Sequence, residues 1–113
     1  MRLVNLTPHT VTFVGADGAT ITIPNSGIAR VAMAPDQQIG IIQVDGMEVP
    51  LMQTSMGTNV TGLPSPQDGT LFIVSRQVID ACPNRDDLVM PHQTIREAGI
   101  VIGCRALARP ALA

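Results

Sequence analysis

The side chains able to do chemistry are concentrated late in this chain. Between Val74 and Pro91, VSRQVIDACPNRDDLVMP, stand Arg76, Asp80, Cys82, Asn84, Arg85, Asp86 and Asp87, followed by His92, Arg96, Arg105 and Arg109. Catalysis would need a nucleophile beside a base. Cys82 with His9 or His92 is the pairing on offer, but a cysteine closing a short helix before Pro83 has the setting of a buried structural thiol. The two histidines and two cysteines show no C-x-x-C or H-x-x-x-H spacing, so nothing marks a zinc site. Asp86-Asp87 are adjacent acids in a turn, ordinarily a solvated cap rather than a divalent-ion pair. With no P-loop and no G-x-G-x-x-G either, the sequence predicts no enzyme, no metal site and no cofactor.

Anion recognition is better supported. An apolar strand running into Ser75 predicts an N-cap there and a short helix to Ala81 or Cys82, with Val78, Ile79 and Cys82 on its inner side. Free backbone N–H groups at that corner, together with the Arg76 guanidinium, suit a phosphate. Asn84 and Asp86 can hydrogen-bond to base edges and sugar hydroxyls, and Arg85 or Arg105 can stack on a base in a chain that has neither Trp nor Tyr. The candidate ligand-binding set is therefore Ser75, Arg76, Asn84, Arg85, Asp86 and Arg105. A plainer reading pairs Arg76 with Asp80 at i,i+4 and Arg85 with Asp87. That is a salt-bridged surface worth about 0.2–0.5 kcal/mol per helix pair.

The elements that must position these groups are short β-type runs. Residues 2–6 (RLVNL) and 10–14 (TVTFV) flank a bend at Thr7-Pro8-His9, and Gly15-Ala16-Asp17-Gly18 reads as a hairpin turn into residues 19–23 (ATITI). Residues 28–33 form a further strand, with Arg30 facing away from Ala29 and Val31. Residues 39–44 (IGIIQV), a tight turn at Asp45-Gly46 and residues 47–53 (MEVPLMQ) predict a second hairpin, which Pro50 confines to an edge or a bulge. Residues 54–61 read as a strand broken at Gly57. After a proline-stiffened loop, residues 70–74 (TLFIV) are apolar without alternation, as in a strand buried on both faces. Leu88 to Met90 start another strand, Arg96 to Gly99 a turn, and residues 100–104 (IVIGC) a last strand before an amphipathic or frayed tail. The expected fold is mainly β (α+β), antiparallel meander and hairpins with one or two short helices, the main one near residues 75–82.

At 113 residues, with 45% hydrophobic and 14% charged residues, the chain is one expected domain whose apolar surface partly meets another copy. A net charge of −2 argues against long nucleic acid as a partner, because neutralising many phosphates needs a basic face. All seven cations are arginine. A GC-rich genome accounts for that choice, and so does arginine's planar fork for phosphate and carboxylate. Cys82 and Cys104 cannot form a disulfide framework, and no signal-peptide pattern or membrane-length apolar run is present. The chain reads as soluble and cytoplasmic.

The segments NLTPHTVTF, IPNSGIARV, TGLPSPQDGTLFIVS, CPNRDDLVMP and IGCRALAR resemble, in that order, a group of small phage and prophage proteins, and among them the first type of Thoeris anti-defence protein, a phage sponge. The resemblance spans nearly the whole chain and contains no catalytic signature. It implies a mostly β protein that sequesters a cyclic ADP-ribose isomer without cleaving it, in the cytoplasm of an infected bacterium, and so blocks immune signalling. It also implies a homo-oligomer, dimer or hexamer, with ligand held between protomers, and in some members a separate site for cyclic oligonucleotides. By position, ligand contacts would fall at the Ser75-Arg76 corner, the PNRDD turn and Arg105. The family's base-stacking aromatic has no clear counterpart, since Phe13 and Phe72 are the only aromatics and Phe72 lies in the core strand. The rival class is a small phage structural or host-protein-interaction protein with no nucleotide ligand.

Overall fold

Four consecutive apolar positions, Leu71 to Val74, can only be covered if both faces of a strand are buried. In the computed structural model, which describes residues 1–33, 35–54 and 56–111, the fold is arranged around that requirement. The strands are β1 (Arg2–Asn5), β2 (Val11–Val14), β3 (Thr20–Ile23), β4 (Arg30–Met33), β5 (Gln37–Val44), β6 (Met47–Gln53), β7 (Met56–Thr61), β8 (Thr70–Ile73), β9 (Leu88–Glu97) and β10 (Ile100–Ala108). One helix, α1 (Arg76–Ala81), lies between β8 and β9.

Six strands form a sheet in the order β1-β8-β9-β10-β2-β3. Leu3 and Val4 lie opposite Leu71 and Phe72 in a parallel β1–β8 pair, and Phe72 and Ile73 lie opposite Leu88 and Val89 in a second parallel pair. The hairpins β2–β3 and β9–β10 are antiparallel, and β10 meets β2 in parallel at Cys104 and Phe13. The far edges then approach each other: Asn5 bridges to Asn25, and the Asn5 side-chain amide donates to the Ile23 carbonyl at 3.0 Å. The sheet is nearly closed.

Alternation along β8 divides the core in two. Leu71 and Ile73 point to one face, with Leu3, Val11, Phe13, Val89, Cys104 and Leu107. Phe72 and Val74 point to the other, where Leu6, Ala29, Val78 and Leu88 are buried with them, and where Val31, Val60, Leu63, Ile79 and Cys82 pack. Helix α1 buries Val78 completely, and an antiparallel β4–β7 ribbon supplies the outer cover. The expected fold is thus present, mainly β with antiparallel hairpins and one short helix among the described residues. The parallel pairs are a feature the local patterns could not reveal, because β1 and β8 are adjacent in space and distant in sequence.

Several boundaries differ from the sequence reading. Strand β7 runs through Gly57 without interruption. Strand β9 continues ten residues through Pro91, and the turn shrinks to Ala98 and Gly99, both at positive φ as a tight hairpin requires. Strand β10 extends to Ala108, so Arg105 lies inside a paired strand rather than in a frayed tail, held by the β9 ladder opposite.

The hairpin at Asp45-Gly46 forms as expected, with φ of 49° and 82° at the two turn residues. Its strands β5 and β6 pair only with each other. Side chains on both faces stay exposed along almost its whole length. It prolongs the β4–β7 ribbon outward as an arm, which explains extents of 62 × 38 × 28 Å and a radius of gyration of 18.7 Å. A compact chain of this length would have a radius of about 13 Å. No helix among the described residues is long and apolar enough to cross a membrane.

Candidate functional site

The expected site begins at the strand-to-helix corner. Ser75 takes an extended conformation, φ −72° and ψ 160°, and its carbonyl accepts from Ile79 N–H as the first helical bond. Its hydroxyl, however, makes no capping hydrogen bond, so Ser75 is the N-cap by backbone alone. Helix α1 lasts six residues, since Cys82 leaves helical geometry (φ −126°) and Pro83 cannot donate to continue it. The chain then reverses, with Arg85 N–H donating to the Cys82 carbonyl at 3.1 Å.

The two ion pairs of the plainer reading are both present, and they differ. Arg76 Nε lies 3.6 Å from Asp80 with both side chains about 60% exposed, a pair of little energetic weight. Arg85 is clamped. Its Nε and Nη2 each reach an Asp87 carboxylate oxygen at 2.8 Å, Nη2 also donates to the Pro64 carbonyl at 3.0 Å, and the guanidinium lies 6.0 Å from the Phe72 ring centre. With both partners largely buried, this fork ties the PNRDD turn to the loop before β8.

The hydrogen bonds from Arg85 hold the Asp87 carboxyl below its ordinary range, against the opposing effect of burial, and the same bonds raise Arg85. A depressed carboxylate stabilises the fold fully above its unfolded pKa, about 4, and loses that contribution as pH falls through the lower folded value. The stability of the natural chain in urea should therefore hold from pH 7 down to about pH 5 and decline below about pH 4. Asp87→Asn should be less stable at pH 7 by about 1.5–3 kcal/mol and should show a shallower acid decline. Equal acid slopes for the two proteins would remove Asp87 as its source.

Three grooves divide the predicted site residues. Asn84, Arg85 and Asp86 come together on a groove of about 410 Å³, with Asp80, Cys82, Pro83 and, from the end of the chain, Arg109. Arg109 Nη1 donates to the Asp86 carbonyl at 2.7 Å, so the turn and the chain end form opposite walls. Ser75 lines a different groove, of about 500 Å³, with Arg30, Gln77 and Thr7. Arg76 and Arg105 line neither of these. A third cleft of about 370 Å³ between β2, β9 and β10 is mostly apolar, and although His9 and threonine hydroxyls reach it, no arginine does.

No protein-family model, curated protein or solved structure matches the chain. The site must therefore be read from its own geometry.

Two positions that shape this region and the sheet closure are not marked by the sequence. Arg109 reads as part of the tail, and only the extension of β10 to Ala108 carries it across to Asp86. Asn5 sits between apolar neighbours in a four-residue strand yet is fully buried. Its Nδ2 donates to the carbonyls of His9 (2.7 Å) and Ile23 (3.0 Å), and its Oδ1 accepts from Thr7 N–H (3.0 Å) and Thr7 Oγ1 (2.7 Å). The only available signal was its place just before the Thr7-Pro8-His9 bend. Both cysteines are free thiols, and burial pushes that of Cys104 up, which makes it less reactive. Among the described residues, no three His, Cys, Asp or Glu side chains gather as metal ligands.

Proposed function

We propose that this chain is a binding protein without catalytic activity, a phage anti-defence sponge that sequesters a cyclic ADP-ribose isomer, with cyclic oligonucleotides as a second ligand class. The observation that supports this is the groove between Asn84, Asp86 and Arg109. Its size lies in the range of small-molecule sites. Arg109 spends one N–H on the Asp86 carbonyl, and its other donors have no partner among the described residues, leaving a guanidinium for phosphate. Asn84 offers donors and an acceptor to a base edge, and the carboxylates of Asp80 and Asp86 can accept from ribose hydroxyls. Arg85, held by Asp87, serves as a rigid wall rather than a mobile stacking group.

Sequestration depends on affinity and abundance. A nanomolar site corresponds to about −12 kcal/mol, within reach of several charge-assisted bonds on a preformed surface. The test is calorimetric titration of the purified chain with cyclic ADP-ribose isomers and cyclic di- and trinucleotides, followed by heat release and chromatography. Tight binding with intact recovery supports a sponge, and recovery of a cleaved product would make the protein an enzyme. Arg109→Ala should raise the Kd by roughly 10- to 100-fold, the loss of about 1.5–3 kcal/mol that a charged hydrogen bond carries. The sequence reading places that loss at Arg76 and Arg105 instead. Their positions off the groove move the expectation to Arg109, and an unchanged Kd for Arg109→Ala would move it back.

The rival reading, a phage structural or host-interaction protein with no nucleotide ligand, draws on the exposed apolar arm. No heat with any nucleotide would favour it.

A further inference from the structure

Strands β2 and β10 run side by side in the same direction, yet the only residues paired between them among those described are Phe13 and Cys104. Two local features shape the sheet just before that pair. The β9–β10 register slips between Val101 and Gly103, which leaves Ile102 as an extra residue with no partner on β9. Gly103 marks a close approach of the strands, since a Cβ there would sit 3.0 Å from the Thr12 carbonyl and 3.2 Å from a Val14 methyl. The cleft of about 370 Å³ is lined by the residues leading up to this contact on both strands, Thr10 to Thr12 and Val101 to Gly103.

The floor of the cleft is core and its rim is not. Val11 and Cys104 are 7% and 1% exposed and cluster with Ile73 and Val89, whereas Val101 and Ile102 are 48% and 47% exposed. Water is poorly held against such a floor, because a buried water needs several polar partners. Hydrogen-bonding groups stand at the exposed mouth, the Thr10 and Thr94 hydroxyls and the His9 ring. His9 is engaged through its backbone alone among the described residues, which leaves the ring free. The lining holds no Asp, Glu or Arg. Arg96 and Glu97, the two charges of β9, lie opposite Val101 and Ile100, so neither sign dominates the open end.

We propose that this cleft is a separate binding site for a small neutral amphiphile, a hydrocarbon body of roughly eight to twelve non-hydrogen atoms at ~30 Å³ each, with one hydroxyl or carbonyl head. The body lies on Val11, Val101 and Ile102 as an extension of the core. The head bonds to Thr10, Thr94 or His9. A charged head would lose hydration with no opposite charge in the lining to replace it. The groove at Asn84 and Arg109 shares no residue with this cleft, so neither the site nor its test depends on nucleotide binding.

The probes are n-octanol, octanoate and octylammonium, which share a chain and differ in the charge of the head. They are titrated into the full chain with Val and Ile methyl groups observed by NMR. Octanol should saturate with a Kd below about 1 mM and shift the Val11, Val101 and Ile102 methyls, while both ions bind at least ~10-fold more weakly. Thr94→Leu adds bulk to the cleft opposite Cys104 and should weaken octanol at least ~10-fold, with an unchanged circular dichroism spectrum. Val101→Asp, at an exposed position, should do the same by adding a charge, and Ile41→Ser on the arm should leave the Kd unchanged. Failure of octanol to saturate overturns the site. Equal affinities for the three heads would mean unspecific adsorption to apolar surface and overturn it as well, as would retained affinity in both cleft variants. Tighter binding of octanoate than of octanol overturns the neutral head.

Discussion

Replacing Asn5 by alanine is expected to lower stability by about 3–5 kcal/mol, a large share of what a chain of this size possesses. The side chain is wholly buried and makes four hydrogen bonds, joining the end of β1 to the bend before β2 and to the end of β3. Removing it takes a partner from the Ile23 carbonyl and from the Thr7 N–H, while the His9 carbonyl keeps the Thr7 hydroxyl at 2.9 Å, at about 1–3 kcal/mol for each group left unpaired. Because Asn5 also draws the two sheet edges together, the cost reaches beyond its own bonds. Urea denaturation should show a lower midpoint, with a drop of roughly 15 °C in the thermal transition. Thr7→Val, which removes only the hydroxyl donor, should cost about 1 kcal/mol. If the two variants were equally stable, Asn5 would be no more than a local turn residue.

The second large effect is expected at Gly62. This residue follows β7 with φ +80°, and a Cβ there would run into the backbone carbonyl of Ile28. Gly62→Ala must therefore adopt a left-handed conformation and also push apart the segment that carries Ala29 into the core, at about 3–5 kcal/mol in all. Gly18 provides the comparison. Its φ is +85° and a Cβ would meet nothing within 4 Å, so Gly18→Ala should cost only about 1 kcal/mol of backbone strain. The difference between the two, read from urea unfolding, isolates the steric part. Equal costs would show that the Ile28 segment yields without penalty.

These residues also show where sequence reading succeeds and where it stops. Local chemistry was legible: the Gly15–Gly18 and Asp45-Gly46 turns, the doubly buried strand from Thr70 and the helix cut short by Pro83 each follow from residue type and spacing. Long-range pairing was not, because no short pattern in Arg2–Asn5 says that its neighbour will be Thr70–Ile73. The same limit governs the site. Asn84, Arg85 and Asp86 are close in sequence and come together on one groove, whereas Arg109 joins them only through the register of β9 and β10. Arg85 was legible in two incompatible roles, and burial of its fork with Asp87 favours the structural one.

The parallel pairing of β1 with β8 has a bearing on how the protein is made. Arg2 takes its place beside Thr70, and Phe13 beside Cys104, so strands made early in this sequence have partners made much later in it. Until β8 emerges, Leu3 and Val4 have nothing to pair with, and the Asn5 hydrogen bonds have no closed sheet to hold. Non-local closure of this kind is slow compared with hairpin formation. Meanwhile the β5–β6 hairpin, whose contacts are all local, can form early and present its exposed apolar side chains on a nascent chain that is not yet folded. Neighbouring chains on one messenger could therefore meet through their arms before either body has closed.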